Sequence, residues 1–339
     1  MKPSLPIDHD ELVSNLLGDL GVSKDFRISE QFVSEVVGLI TDEPASLDLK
    51  IASAAVAEMR NAFAMFAPYK DIPKVSIFGS ARTSRDSPLY QQTVRVARQL
   101  ADAGWMVVTG AGPGIMEAGM EGAGVANSIG ISIRLPFESG ANSIIAGDDK
   151  HVAMKYFFTR KLMLVKESAA FVCLPGGFGT LDETFELLTL TQTGKGIPVP
   201  IVFLDTPGDP YWEAVHRFIE DHLVTRGLVS AADTTLYKVT DSCDEATREI
   251  TDFYSNYHSI RSVGDDLIIR LRNAPTDDQL TVLNRDFAHL VKSGEIRRTK
   301  PYAVEKRQDD HLELERIVME FDQHGFVELR GLIDALNDL

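Results

Sequence analysis

Positive charge is in short supply here: 34 Lys and Arg stand against 50 Asp and Glu in 339 residues, a formal net charge of −16. A surface of that sign repels phosphate backbones, which argues against nucleic acid as the main partner. Cysteine is scarce too. Cys173 lies in an apolar run and Cys243 far from it, so no disulfide framework is expected and a reduced cytosol is the simplest setting. No apolar run approaches the roughly 18 residues of a membrane span, and the opening MKPSLPIDHDEL lacks the apolar core of a signal peptide. The expectation is a cytoplasmic protein with no membrane partner. Metal-ligand spacings, a catalytic histidine pair and a G-x-S-x-G elbow are also missing, and the histidines are scattered. No metal or cofactor is expected.

What is present reads as α/β. Residues 1 to about 70 carry helical stripes and no strand: Leu12, Leu16, Leu17 and Leu20; then Phe32, Val33, Val36, Val37 and Ile40 after a cap at Ser29; then Ile51, Ala55, Met59, Phe63 and Phe66. From Lys74 short apolar runs alternate with helical patterns. The strands are Lys74 to Phe78, Trp105 to Thr109, Ile129 to Leu135, Ala169 to Leu174 and Val199 to Leu204. Ser87 and Pro88 open the first intervening helix and Gly104 stops it; a later helix is predicted from about His151. Such alternation means a Rossmann-like, doubly wound parallel sheet, whose ligands sit at the carboxyl ends of strands. Beyond about residue 260 a small α+β unit follows. Its strands are Asp266 to Leu271 and Arg316 to Phe321, and a Thr276–Gln279 capping box opens a helix that includes Leu290 and Val291 and stops at Gly294. Lys300 to Asp310 reads as a solvated loop, and Phe326, Leu329, Ile333 and Leu336 mark a last helix. The resulting division is 1–72, 73–258 and 259–339.

Three glycine turns fall at strand ends: Gly79-Ser80-Ala81-Arg82, Gly110-Ala111-Gly112-Pro113-Gly114, and Pro175-Gly176-Gly177-Phe178-Gly179-Thr180-Leu181-Asp182-Glu183. The second is a poor dinucleotide fingerprint, because its third glycine comes one position early and it follows the second strand. Gly194-Lys195-Gly196 lacks the rest of a phosphate-loop lysine motif. The third turn is the strongest. A strand, a glycine turn and a helix leave unpaired N–H groups at the positive end of a helix dipole, a place for phosphate.

Thr180 and Glu183 have the spacing of a capping box, which would need no function. The glycines weigh against that reading, since a cap does not require Gly176, Gly177 and Gly179 whereas close approach of a ligand does. A carboxylate at a helix N-terminus is held charged, so Glu183 is expected as a base or cation stabiliser rather than a general acid. Upstream, Lys150, His151, Lys155, Arg160, Lys161 and Lys166 occur without an acid between them. Tyr156, Phe157, Phe158, Leu162, Met163 and Leu164 make that helix apolar round much of its circumference and predict it buried. Arg160 is the best anion or ribose anchor there, because its guanidinium is a planar donor fork. Ser80, Arg82, Glu117 and Glu138 are weaker candidates.

P-G-G-F-G-T-L-D-E resembles the P-G-G-x-G-T-x-x-E signature of the LONELY GUY (LOG) proteins, once labelled possible lysine decarboxylases. Phe157 to Lys161 (FFTRK) resembles their M-x-x-R-K element, with Phe157 where the methionine would stand. The G-S-A-R and G-A-G-P-G-I-M turns fit the family's first two glycine loops. The resemblance covers roughly residues 73 to 258.

It implies a phosphoribohydrolase that cleaves the N-glycosidic bond of nucleoside 5′-monophosphates, giving free base and ribose 5-phosphate. Arg160 and Glu183 would be catalytic. Gly79, Ser80, Gly110, Gly112, Gly114, Lys161, Gly176, Gly177, Gly179 and Thr180 would bind phosphate and ribose. A homodimer or higher homo-oligomer is implied, and lysine decarboxylation is not, since no pyridoxal phosphate lysine context is present. The two flanks make the chain similar to the long bacterial nucleotide nucleosidases. That favours AMP-like substrates over cytokinin riboside monophosphates. The alternative is a non-catalytic carrier of a nucleotide or of molybdenum cofactor.

Overall fold

Short apolar runs closed by glycine turns become the strands of a parallel sheet, because runs buried on both faces need helices on either side. A computed structural model of the chain describes residues 9–135, 140–322 and 325–339. The first eight residues and Glu138 lie outside the described residues. The chain divides into two compact units, Met1–Asn61 and Ala62–Leu339. Helices α1 (His9–Asp19), α2 (Phe26–Thr41) and α3 (Ser46–Phe66) open it. Ser29 does not cap α2, which begins three residues earlier, after Asp25. Leu12, Leu16, Leu20, Phe32 and Ile40 of the predicted stripes are exposed.

After the end of α3, the second unit runs through β1 (Lys74–Phe78), α4 (Pro88–Asp102), β2 (Met106–Thr109), α5 (Ile115–Ala123), β3 (Ser128–Ile133) and β4 (His151–Met154). It continues through α6 (Phe157–Lys166), β5 (Ala170–Cys173), α7 (Phe178–Gln192), β6 (Ile201–Leu204), α8 (Tyr211–Phe218), β7 (Lys238–Thr240) and α9 (Cys243–Asp252). Among the described residues these seven strands form one parallel sheet in the order β4-β3-β2-β1-β5-β6-β7. The chain first winds outward from β1 to β4, then returns to the other side of β1 with β5. That reversal fixes the crevice for a ligand between β1 and β5. Ser87 caps α4 by accepting from the Tyr90 N–H, with Pro88 in the first turn. One sheet face packs Val75, Val107, Val172 and Val202 against Val96 and Leu100 of α4 and Ala246 and Ile250 of α9. Among the described residues no helix is long and apolar enough to cross a membrane.

One predicted element differs here. His151 opens an edge strand rather than a helix, and the helix starts at Phe157. Four residues carry too little pattern to tell a strand from a helical turn. Strand β7 is shorter still, with three residues, and went unpredicted.

The remaining elements are β8 (Tyr257–Val263), β9 (Asp266–Leu271), α10 (Asp277–Asp286), β10 (Val291–Arg298), α11 (Ala303–Gln308), β11 (Glu315–Phe321) and α12 (Phe326–Asn337). The four strands make an antiparallel sheet ordered β10-β11-β9-β8. The Thr276–Gln279 capping box forms as expected. The helix behind it ends at Asp286, so Val291 and Gly294 belong to β10, where the register with β11 shifts. Leu283 of α10 and Leu329, Leu332 and Leu336 of α12 bury one sheet face.

The predicted solvated loop is no loop. It contains α11, and Glu305 there is 0% exposed. Glu305 Oε1 accepts from Arg270 Nη2 at 2.7 Å and lies 3.3 Å from Arg316 Nε. Burial opposes its charge, but the Tyr302 N–H and the two guanidiniums hold it below the ordinary carboxylate range. Each of these side chains would be costly to bury alone. The partners come from separate elements, so the charge pattern of the segment by itself gave no sign of burial.

Candidate active site

At the β1–β5 reversal the two glycine loops meet: the Ser80 N–H donates to the Pro175 carbonyl at 3.2 Å. They wall a cavity of about 790 Å³. Gly79, Ser80, Gly110, Arg160, Gly176, Gly177, Gly179, Thr180 and Glu183 of the predicted set line it, joined by Arg82, Met116, Phe157 and Tyr211. Gly112, Gly114 and Lys161 do not. Gly114 serves packing, since a Cβ there would fall 2.4 Å from the Ser80 carbonyl oxygen at a φ of +66°.

Helix α7 starts at Phe178 with Gly177 before it and no side-chain cap. Thr180 is therefore inside the helix, where its carbonyl accepts from Thr184 Oγ1 at 2.7 Å. The T-x-x-E spacing is not a capping box, and Glu183 falls in the second turn. The first N–H groups, those of Phe178, Gly179 and Thr180, have no acceptor inside the helix. The glycines separate into two kinds. A Cβ on Gly176 would meet Thr180 Oγ1 at 2.1 Å, whereas one on Gly177 or Gly179 would meet nothing within 4 Å. Nothing in the described residues themselves demands the last two. Gly179→Ala should therefore raise helix stability by about 0.5–1 kcal/mol while weakening phosphate binding, with Gly177→Ala weakening it alike. Thermal melts beside phosphate affinity would check both, and unchanged affinity would remove these glycines from the site.

Glu183 is 9% exposed, and its Oε2 accepts no hydrogen bond among the described residues. Lys161 Nζ is 3.7 Å from that oxygen, and lies closer, at 2.7 Å, to both Asp182 Oδ2 and Glu186 Oε2. Burial raises the Glu183 pKa, with Lys161 and Arg160 pulling it back in part. The expected direction was the reverse. Desolvation at this depth outweighs the helix dipole, which fades beyond the first turn. Burial also works against the Lys161 charge, but its bonds to Asp182 and Glu186 hold the ammonium above its ordinary value. Lys161 is thus tied into an acidic cluster beside the cavity.

Arg160 lies across Gly110. A Cβ on Gly110 would sit 1.9 Å from Arg160 Nη2, and Arg160 Nε donates to the Ile131 carbonyl at 3.0 Å. Burial lowers the guanidinium pKa, and Glu183 offsets part of that. A cation so placed favours an anion or an electron-rich group in the cavity. The rest of α6 corrects an expectation. Thr159, Met163 and Leu164 are buried, but Phe157, Phe158 and Leu162 are 58, 54 and 43% exposed. Apolar residues right round a helix left the buried side undetermined.

Tyr211 is the residue that sequence reasoning missed. Its hydroxyl donates to the Gly176 carbonyl at 2.7 Å. No local motif marks a tyrosine 35 positions away.

Residues 110–250 match the family described as "possible lysine decarboxylase". The cytokinin riboside 5′-monophosphate phosphoribohydrolase LOG1 of Arabidopsis thaliana is 31% identical over 103 residues, 30% of this chain and 46% of that one. Over these stretches the chain is similar to the LOG family. The probable cytokinin riboside 5′-monophosphate phosphoribohydrolase LOGL1 of Oryza sativa subsp. japonica is 28% identical over 170 residues, 48% of this chain and 70% of that relative. The chain spans about half the length of LOG1, the stretch it matches being 46%. In solved structures, the molybdenum cofactor carrier protein of Chlamydomonas reinhardtii is 21% identical at a TM-score of 0.35, over 52% of this chain and 93% of that one. That likeness is too slight to bear on what this chain does.

Proposed function

We propose that this protein hydrolyses the N-glycosidic bond of nucleoside 5′-monophosphates, releasing free base and ribose 5-phosphate. One observation carries the reading: Glu183, a buried carboxylate whose Oε2 accepts no hydrogen bond among the described residues, shares a cavity with Arg160 and a glycine turn that opens a helix whose first N–H groups have no acceptor inside it. The names of the curated relatives, phosphoribohydrolases of a riboside monophosphate, support it. The 5′-phosphate is held by the N–H groups of Phe178, Gly179 and Thr180 and by the Thr180 hydroxyl. The ribose then lies beside Glu183, whose unpartnered oxygen accepts from a hydroxyl or from the attacking water.

As the bond from C1′ to the base nitrogen breaks, positive charge develops on the sugar, and the Glu183 carboxylate stabilises it. The bonding pair leaves with the base, next to the Arg160 guanidinium. Water supplies the hydroxyl to C1′ and its proton ends on the base, so atoms and charge balance. AMP-like nucleotides are the first substrates to test, with cytokinin riboside monophosphates second. The exposed Phe157, Phe158 and Leu162, with Phe178 94% exposed at the cavity, support the homo-oligomer that the resemblance implies.

Incubation with AMP, GMP, CMP, UMP and IMP, followed by chromatography, tests the proposal. Free base and ribose 5-phosphate are expected from at least one. Tight binding of AMP with no base released would replace hydrolysis with a carrier role.

A further inference from the structure

We propose that Tyr211 is a positioning residue for the phosphate-binding turn, acting by locking the orientation of the Gly176–Gly177 peptide. The inference rests on reading the cavity as a nucleoside 5′-monophosphate site. A peptide unit is planar and trans, so its C=O and N–H point from opposite edges. Turning that unit over requires rotation about ψ of the residue before it and φ of the residue after. Here both residues are glycine, so no Cβ resists the flip. In one orientation the turn offers an anion the Gly177 N–H. In the other it offers a carbonyl oxygen, which repels it.

The Tyr211 hydroxyl chooses between them. It donates to the Gly176 carbonyl at 2.7 Å, while the Gly177 N–H has no hydrogen-bond acceptor among the described residues. Burial raises the phenol pKa above its ordinary value, so the hydroxyl remains a donor at neutral pH. The ring is itself held rigidly. Tyr211 is the first residue of α8, and its ring meets Trp212 edge-on at 5.0 Å. Trp212 is fully buried, stacks on Phe203 at 4.3 Å, and donates its backbone N–H to Asp205 Oδ2 at 2.9 Å. The lock thus runs from the end of β6 through Asp205 and α8 to the turn after β5.

Tyr211→Phe removes the hydroxyl and keeps the ring. With AMP, or whichever of the five monophosphates the wild type hydrolyses fastest, KM should rise about tenfold, roughly the worth of one hydrogen bond, with a smaller change in kcat. Calorimetry should show ribose 5-phosphate weakened by the same factor, while adenosine, which lacks the phosphate, and Tm stay unchanged. Equal weakening of ribose 5-phosphate and adenosine would mean a general structural role and overturn the proposal. So would unchanged ribose 5-phosphate binding. If the wild type itself neither releases base nor binds ribose 5-phosphate, the reading of the cavity fails first and takes this inference with it.

Discussion

Glu183→Gln is expected to fold normally and to lose base release by about 10²- to 10⁴-fold, the range for removing a positioned acid–base group. The amide keeps the size of the side chain but can neither carry the charge that stabilises the sugar cation nor take a proton from water. Stability should not follow activity. Burial raises the Glu183 pKa, so the folded chain holds this proton more tightly than the unfolded chain does. The resulting contribution is complete below the ordinary glutamate pKa and is lost as pH rises through the raised value. A neutral amide escapes that loss, although it leaves Arg160 with less compensation. Tm at neutral pH should therefore stay within about 4 °C of the wild type. The same shift sets the wild-type profile. If the carboxylate is the working form, kcat/KM falls on acidification, with its limb above the ordinary carboxylate range. Near-normal rates in the variant would remove Glu183 from the chemistry, and a collapse of Tm would make it structural.

The elements legible in the sequence were those specified by neighbouring residues. Ser87-Pro88 and Thr276 with Gln279 were found because a cap is built within four residues. The signature turn was found for the same reason: strand, glycines and helix follow one another directly. What escaped depends on partners distant in the chain. Glu305 is buried only because Arg270 and Arg316 come to it from two strands. Tyr211 reaches the turn from the next helix, and the edge strand His151–Met154 exists through pairing with β3. Glu183 shows a subtler limit. The residue was identified, but its electrostatics depend on depth, which a T-x-x-E pattern does not encode. Depth reversed the direction of its pKa shift.

Gly110→Ala tests Arg160 without touching it. The methyl group would arrive 1.9 Å from Arg160 Nη2, far inside contact distance. The guanidinium cannot simply swing aside, because Nε is committed to the Ile131 carbonyl at 3.0 Å and the side chain is largely desolvated. Either that hydrogen bond breaks or the whole fork moves. A displacement of about 1 Å at a reacting centre can cost about 10²-fold in rate, so Gly110→Ala should approach the loss seen in Arg160→Ala. Because both changes act on one group, the double variant should be little worse than Arg160→Ala alone. Gly112→Ala is the control: its Cβ would crowd Met116 Cε at 2.6 Å, the free end of a flexible chain that can turn away. Initial rates for the four variants decide the matter. Loss in Arg160→Ala with a normal Gly110→Ala would mean that the charge matters and its position does not. Normal rates in both would leave Arg160 a structural cation, and the departing base without a partner.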